Sequence, residues 1–294
     1  MIKRSLFFNS PVYLSLKMNQ LVSKNKEGVV QTFPIEDLGV VLIEHPQSSV
    51  SIPAINALTA SNVALVFCDE KHMPSSMLFS LDSHSVQTEH FKYQVSASLP
   101  LKKNLWMQTV SAKIRNQASV LDAFNARSDE LKVIAQRVKS GDSDNREAAA
   151  ARLYWKRLLG QDFERDRFGF YPNNFLNYGY AILRAAVSRG LAGSGLLPTL
   201  GIFHRNRYNS FCLADDIMEP YRPYVDWLVK SLLSEFPDDY ELTTDLKARF
   251  LSLLTHDVTI NKQTRPLMLA ITSTTASLVR CFKGEAKKIS YPCL

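Results

Sequence analysis

Three separated stretches of this 294-residue chain concentrate side chains able to hold a cation or grip a phosphate. In the first, GDSDNREAAAARLYWKRL, Glu147 stands three residues after Asp144 and is followed by Arg152, Lys156 and Arg157. That spacing fits a capping box, with Asp144 as the cap and Glu147 reaching back to it. Glu147 therefore has an ordinary helix-start reading beside a ligand reading. In the second stretch His204 precedes Arg205 and Arg207, whose planar forks suit phosphate oxygens. The third is LADDIMEPYRP, in which Glu219 follows Asp216 by three residues and Asp215 by four. On a helix such acids crowd one face and need a compensating positive charge. Pro220 and Pro223 each remove an internal helical hydrogen bond, so this helix is expected to start late or bend.

Six histidines and four cysteines form no HxxxH, HxH or CxxC pair, which argues against a zinc centre built on paired ligands. The scattered thiols suit neither a zinc ribbon nor a disulfide framework and read as reduced. One imidazole with two or three carboxylates, if they meet, suits a hard cation such as Mg²⁺ or Mn²⁺. The net charge of +7 favours a polyanionic partner. Together these residue types point to metal-assisted phosphoryl transfer on nucleic acid.

The elements that must position these groups fall into two regimes. Residues 1–85 read as short strands: SLFFN, VYLSLK, QLVSK, GVVQTFP, GVVLIEH and NVALVFC, broken by Asn, Gly, Pro and Lys. A helix interrupts them at PAINALTAS, with Pro53 at a first helical position. Residues 86–294 carry apolar residues at three-to-four spacing in seven successive stretches, which predicts helices. The expected architecture is α+β: a small N-terminal β-sandwich-like domain, then a larger all-helical C-terminal domain. The polar run SLDSHSVQTEH is the expected linker. Tyr154, Trp155 and Tyr178 fall at helical spacing and are expected in the core. No apolar run approaches the roughly 18 to 20 residues that cross a bilayer, and the N-terminus lacks a signal-peptide core, so a cytoplasmic bacterial protein is expected.

Four motifs stand in the order and spacing of one family: ExxAARLYW (Glu147 to Trp155), FLNYGYAILR (Phe175 to Arg184), GLLPTLGIFH (Gly195 to His204) and LADDIMEPYRP (Leu213 to Pro223). The chain closely resembles the CRISPR-associated integrase of spacer acquisition, CRISPR-associated protein one. Its length and the opening RSLFFNSPVYLSLKMNQLV are most similar to members from type II systems. The resemblance implies a metal-dependent DNA endonuclease and integrase. Glu147, His204 and Glu219 match the family's metal-binding triad, and Asp216 matches a supporting acid. The implied reaction inserts duplex fragments into a leader-repeat array, each 3′-hydroxyl attacking a phosphodiester. The implied assembly is a homodimer joined to the smaller CRISPR-associated protein two. In type II systems the effector nuclease and a ring-shaped DNA-end-binding protein also take part. No membrane partner is implied. Residues 1–85 would serve dimerisation and partner docking, and 86–294 catalysis.

Arg146, Arg152, Arg184, Arg205, Arg207 and Arg222 are the candidate DNA contacts, with a solvated helix face as the ordinary reading of each. Two other readings stay open on residue chemistry. One is a non-catalytic DNA-binding scaffold, with strongly salt-dependent binding that EDTA leaves unchanged. The other is a divalent-metal nuclease acting on branched DNA in repair, whose hydrolysis leaves new ends instead of a joined branch.

Overall fold

The computed structural model describes residues 3–80, 82–235 and 241–294. Six predicted strands appear within a residue or two of their expected places: β1 Arg4–Phe8, β2 Val12–Lys17, β3 Gln20–Asn25, β4 Val30–Pro34, β5 Leu38–Ile43 and, after a two-residue β6 (Ser49–Val50), β7 Ala64–Cys68. Two strands of this part were not anticipated, the short β6 and β8 Pro74–Leu78. The predicted early helix is α1, Ile52–Ala60, with proline in its first turn.

The strands form two four-stranded sheets, ordered β1-β5-β7-β8 and β4-β3-β2-β6. In the first, β5 runs parallel to both β1 and β7. In the second, β2 and β3 form a tight hairpin whose turn residues Met18 and Asn19 both have positive φ, as the twist of a two-residue hairpin requires. Every residue of β5 is buried, and its pleat divides them between two cores. Val41 and Ile43, with Leu65 of β7, face the second sheet and α1; Val40 and Leu42, with Ala64 and Val66, face the helices. A strand buried on both faces reads as a continuous apolar run, which LGVVLI is. The first sheet is thus the floor on which the helical part is built.

The helices are α2 Gln87–Ser96, α3 Leu99–Ala123, α4 Asp129–Gln136, α5 Arg146–Leu159, α6 Asn173–Gly193, α7 Cys212–Met218, α8 Arg222–Glu235, α9 Thr244–Ser252 and α10 Leu267–Phe282. The expected linker is shorter than the polar run suggested, because α2 already begins at Gln87; Leu81 within it lies outside the described residues. Phe236, the last residue of the predicted α8 stretch, also lies outside them. A hairpin of β9 (Asp257–Ile260) and β10 (Gln263–Pro266) stands among the helices, turned by Asn261 and Lys262 at positive φ. β9 alternates exposed and buried residues over only four positions and β10 is mostly exposed, too weak a pattern to stand out between two strong helical ones.

The 25-residue α3, roughly 37 Å long, is the axis of the helical part and packs against α4, α5, α7 and α8. Trp106, Val110 and Gln117 lie on its buried stripe. Lys113 falls in the same stripe, which brings a cation to the middle of the helical core.

Candidate active site

Glu147 lies in the first turn of α5. The helix start is built differently from the predicted capping box. Asn145 adopts a left-handed conformation, and Asp142 accepts the amides of Arg146 (2.8 Å) and Glu147 (3.1 Å). Asp144 instead pairs with Arg146 at 3.0 Å and Lys139 at 3.5 Å. The Glu147 carboxylate is therefore free of capping, and its Oε1 lies 2.6 Å from Lys113 Nζ.

Glu219 reaches the same ammonium from another direction. Pro220 ends α7, and a single 3₁₀ turn, Glu219–Tyr221, carries the chain into α8; this is the break that the two prolines predicted. Glu219 Oε2 lies 2.5 Å from Lys113 Nζ, and Oε1 lies 3.1 Å from Arg222 Nε. Neither contact has good hydrogen-bond alignment, so Glu219 Oε2 is a buried oxygen held chiefly by charge. Two anchors fix the turn: Asn116 on α3 donates to the Pro220 carbonyl (2.7 Å), and the Tyr221 hydroxyl meets Thr274 on α10 (2.6 Å). Because one atom touches both carboxylates, their contacting oxygens lie within about 5 Å of each other.

His204 sits in the loop between α6 and α7. The fully buried Trp106 is its floor, stacking on Phe203 at 4.2 Å and meeting the imidazole edge-on at 5.7 Å. Asp216, 0% exposed, organises the loop. Its Oδ2 accepts the amides of Ile202 (2.7 Å) and Phe203 (3.0 Å); Oδ1 accepts the His204 amide (3.1 Å) and contacts His204 Nδ1 at 2.5 Å. With Nδ1–H given to Asp216, the neutral ring carries its lone pair on Nε2, the arrangement by which a carboxylate orients a metal-binding histidine. Gly201 makes this approach possible: a Cβ there would stand 2.5 Å from the His204 carbonyl and 2.8 Å from Asp216 Oδ2.

The electrostatics follow from this packing. Burial pushes the Glu219 carboxyl up, but Arg222 and Lys113 outweigh it and hold the group below its usual range. Burial works against the Lys113 charge, yet Glu219 and Glu147 raise its pKa above the ordinary lysine value. The hydrogen bond to Asp216 raises His204, with Glu219 and Asp215 adding to it. Burial raises Asp216 against its four donors. Four donors on two oxygens fit the ionised carboxylate, so we take Asp216 as the anion of this pair.

Among the described residues no three His, Cys, Asp or Glu side chains are gathered as a ready-made metal cluster. Glu147 and Glu219 meet on a cation, and His204 is bound to Asp216 beside them. The donor set nonetheless fits a hard divalent ion: two carboxylates already drawn to one positive charge, one with a buried unaligned oxygen, and an imidazole whose second nitrogen is anchored.

The other candidates separate by surroundings. Asp215 is buried, pairing with Arg184 (2.6 Å) and accepting from Asn209 (2.7 Å), so Arg184 is committed to it. Arg222 is held between Glu219 and the Tyr180 ring, 4.8 Å from its centroid, as a counter-ion inside the site. Arg146 is tied to Asp144. Arg152, Arg205 and Arg207 are exposed, with Arg207 lying over the Tyr208 ring. Tyr154 and Tyr178 are fully buried and Trp155 partly so, as expected. All four cysteines are free thiols. Lys113, Asp142 and Asn116 escaped the sequence reading. The available signal was Lys113 falling three residues after Val110 and four before Gln117, in an otherwise buried stripe.

A long central helix, an acidic turn broken by proline and an anchored imidazole, mounted on a two-sheet domain, define a two-part α+β protein with one buried charged site. The description CRISPR associated protein Cas1 matches residues 6–239. The chain is 38% identical over 270 residues to a CRISPR-associated endonuclease Cas1 of Neisseria meningitidis serogroup C, covering 91% of this chain and 88% of that protein. A solved casposase bound to integration product shares the fold, with a TM-score of 0.80 and 20% identity over 98% of this chain and 92% of that one. A Cas6-RT-Cas1–Cas2 complex matches with a TM-score of 0.77 and 18% identity, over 98% of this chain and 36% of that longer chain. The chain belongs to the Cas1 family of CRISPR-associated proteins. No helix among the described residues is long and apolar enough to cross a membrane.

Proposed function

We propose that this chain is a divalent-metal-dependent DNA endonuclease and integrase that inserts new spacer fragments into a CRISPR array. The observation that carries the reading is the convergence of Glu147 and Glu219, from elements 72 residues apart, on one cation beside an imidazole anchored by Asp216. Glu147, Glu219 and His204 Nε2 would hold Mg²⁺ or Mn²⁺. Bound there, the ion would supply Lewis acidity at a phosphodiester oxygen and lower the pKa of an attacking hydroxyl.

The chain's own groups account for the rest. Asp216 keeps His204 in one tautomer and one orientation. Arg222 neutralises part of the Glu219 charge, so the acidic turn does not repel an approaching phosphate. The exposed Arg152, Arg205 and Arg207 give that phosphate positioning contacts without reading sequence. In the exchange the incoming 3′-oxygen forms a bond to phosphorus as the target strand's 3′-oxygen leaves with a proton. One phosphodiester replaces another, so rate depends on in-line orientation and charge stabilisation.

Double-stranded DNA is the proposed substrate, both as incoming fragment and as leader-repeat target. A homodimer joined to a Cas2 protein is the proposed assembly, with residues 1–85 as the docking part; the solved Cas6-RT-Cas1–Cas2 complex supports the Cas2 partner. The type II effector nuclease and a ring-shaped DNA-end-binding protein are proposed further partners.

The test is strand transfer of a labelled fragment into a leader-repeat duplex in Mg²⁺, Mn²⁺ or EDTA, with and without the Cas2 partner. Glu147→Ala, His204→Ala and Glu219→Ala should each abolish joined product while DNA binding survives. Wild-type rates in all three would refute the triad. Cut ends without joined branches would favour the repair nuclease, and behaviour indifferent to EDTA would favour the scaffold.

A further inference from the structure

Lys113 meets the two proposed metal-holding carboxylates at once, 2.6 Å from Glu147 Oε1 and 2.5 Å from Glu219 Oε2, on a side chain only 12% exposed. Resting on the metal-holding role given above to those residues, we propose that Lys113 is a resident counter-cation that keeps the carboxylates together and gives up its place to the divalent ion. Metal binding is then an exchange of ammonium for metal instead of a simple addition.

Charge balance carries the inference. Two carboxylates already face two cations, Lys113 and Arg222. With Asp216 beside them as a third anion, a divalent ion added to that set would leave a net positive charge in a mostly dry place, which low-dielectric surroundings make costly. One cation has to withdraw, and the two differ in how firmly they are held. Arg222 is fixed by its stacking: its planar guanidinium is buried over the Tyr180 ring, 4.8 Å from the centroid, although its Nε contact with Glu219 at 3.1 Å is no better aligned than that of Lys113. Lys113 carries its charge on a flexible four-carbon stem with a point-like ammonium. Its contact with Glu219 Oε2 is short but unaligned, so that half of the bridge is Coulombic and transferable to another cation. Meanwhile Asn116, one turn along α3, holds the Pro220 carbonyl, so the acidic turn stays in place when the ammonium leaves.

The experiment is Mn²⁺ titration of the full chain without DNA, followed by calorimetry and by the metal-induced rise in melting temperature. Wild type is compared with Lys113→Gln, which keeps a hydrogen-bond donor without the charge, and with Lys113→Met. Removing the competing cation should tighten Mn²⁺ binding about tenfold or more. In EDTA both variants should melt below wild type, and Mn²⁺ should raise their melting temperatures more than it raises that of wild type. Lys113→Gln protects the test against a Met variant that fails to fold. Unchanged or weaker Mn²⁺ affinity in a folded Lys113→Gln, while wild type binds and Glu147→Gln does not, overturns the exchange and leaves the metal assignment standing. No Mn²⁺ binding by any form overturns both.

Discussion

Asp216→Asn is the substitution that most directly tests how the His204 loop is held. The carboxylate takes four donors on two oxygens in a fully buried position: the amides of Ile202, Phe203 and His204, and His204 Nδ1. An amide of the same shape has one oxygen and one NH₂. If the oxygen turns to His204, the NH₂ opposes two backbone amides. If it stays on Ile202 and Phe203, the NH₂ opposes the His204 amide and Nδ1. The second arrangement is cheaper because the ring can respond, accepting at Nδ1 and moving its proton to Nε2. It still leaves one backbone donor unpaired, at about 1–3 kcal/mol, and weakens charge-assisted bonds to ordinary ones at about 1 kcal/mol more. Relief from burying a charge offsets part of this, so the net expected loss is about 2–3 kcal/mol. Urea unfolding measures it. Histidine ring nitrogen NMR, taken above the pH at which the ring resonances stop moving, reads the tautomer. The wild-type Nε2 should be unprotonated and the variant's protonated, with strand transfer lost as the lone pair leaves Nε2. A stability loss below about 1 kcal/mol, or an unchanged tautomer, would refute the account of Asp216 as the residue that orients His204.

Two further outcomes follow from the same packing. Asp226 accepts the hydroxyls of Tyr154 (2.9 Å) and Tyr180 (2.5 Å), and burial pushes its carboxyl up to about 6 from 3.8. The folded state then holds the extra proton, so this group's contribution is fully present below about pH 4 and is lost as pH rises through 6. Asp226→Asn lacks that slope, and its stability relative to wild type should rise by about 2 kcal/mol between pH 4 and pH 7, checked by urea midpoints; parallel profiles would count against it. Gly201→Ala places a methyl 2.5 Å from the His204 carbonyl and 2.8 Å from Asp216 Oδ2. It should cost about 1–3 kcal/mol in thermal unfolding and lower strand transfer beyond what the lost stability explains.

The helical part and the sheet domain are not independently packed. β5 and β7 supply one face to each core, and Lys247 on α9 reaches Glu44, just after β5, in a buried ion pair at 2.6 Å. The Arg189 guanidinium on α6 likewise donates to the Asn62 carbonyl between α1 and β7. Anything that docks on the sheets therefore bears on α6 and α9, which pack against them.

Local periodicity and order were enough to determine much of this protein from its sequence. Strand alternation placed six strands, three-to-four spacing placed the long helices, Pro53 marked the start of α1, and Pro220 marked the break at the acidic turn. These are short-range preferences, fixed by which residues neighbour one another along the chain. The ordered motifs around Glu147, His204 and Glu219 identified the family. Three decisions belonged to the tertiary structure alone. The cap of α5 is Asp142 because a left-handed Asn145 reverses the chain, which frees Glu147 for the site. Arg184 and Arg222 are counter-ions of Asp215 and Glu219, although in sequence they look the same as the exposed Arg205 and Arg207. Lys113 joins two acids 34 and 106 positions away, a contact that no local pattern encodes. Charge pairing depends on distance in space and on the loss of water around it, and both are set only when α3, α5 and the turn before α8 close on one another.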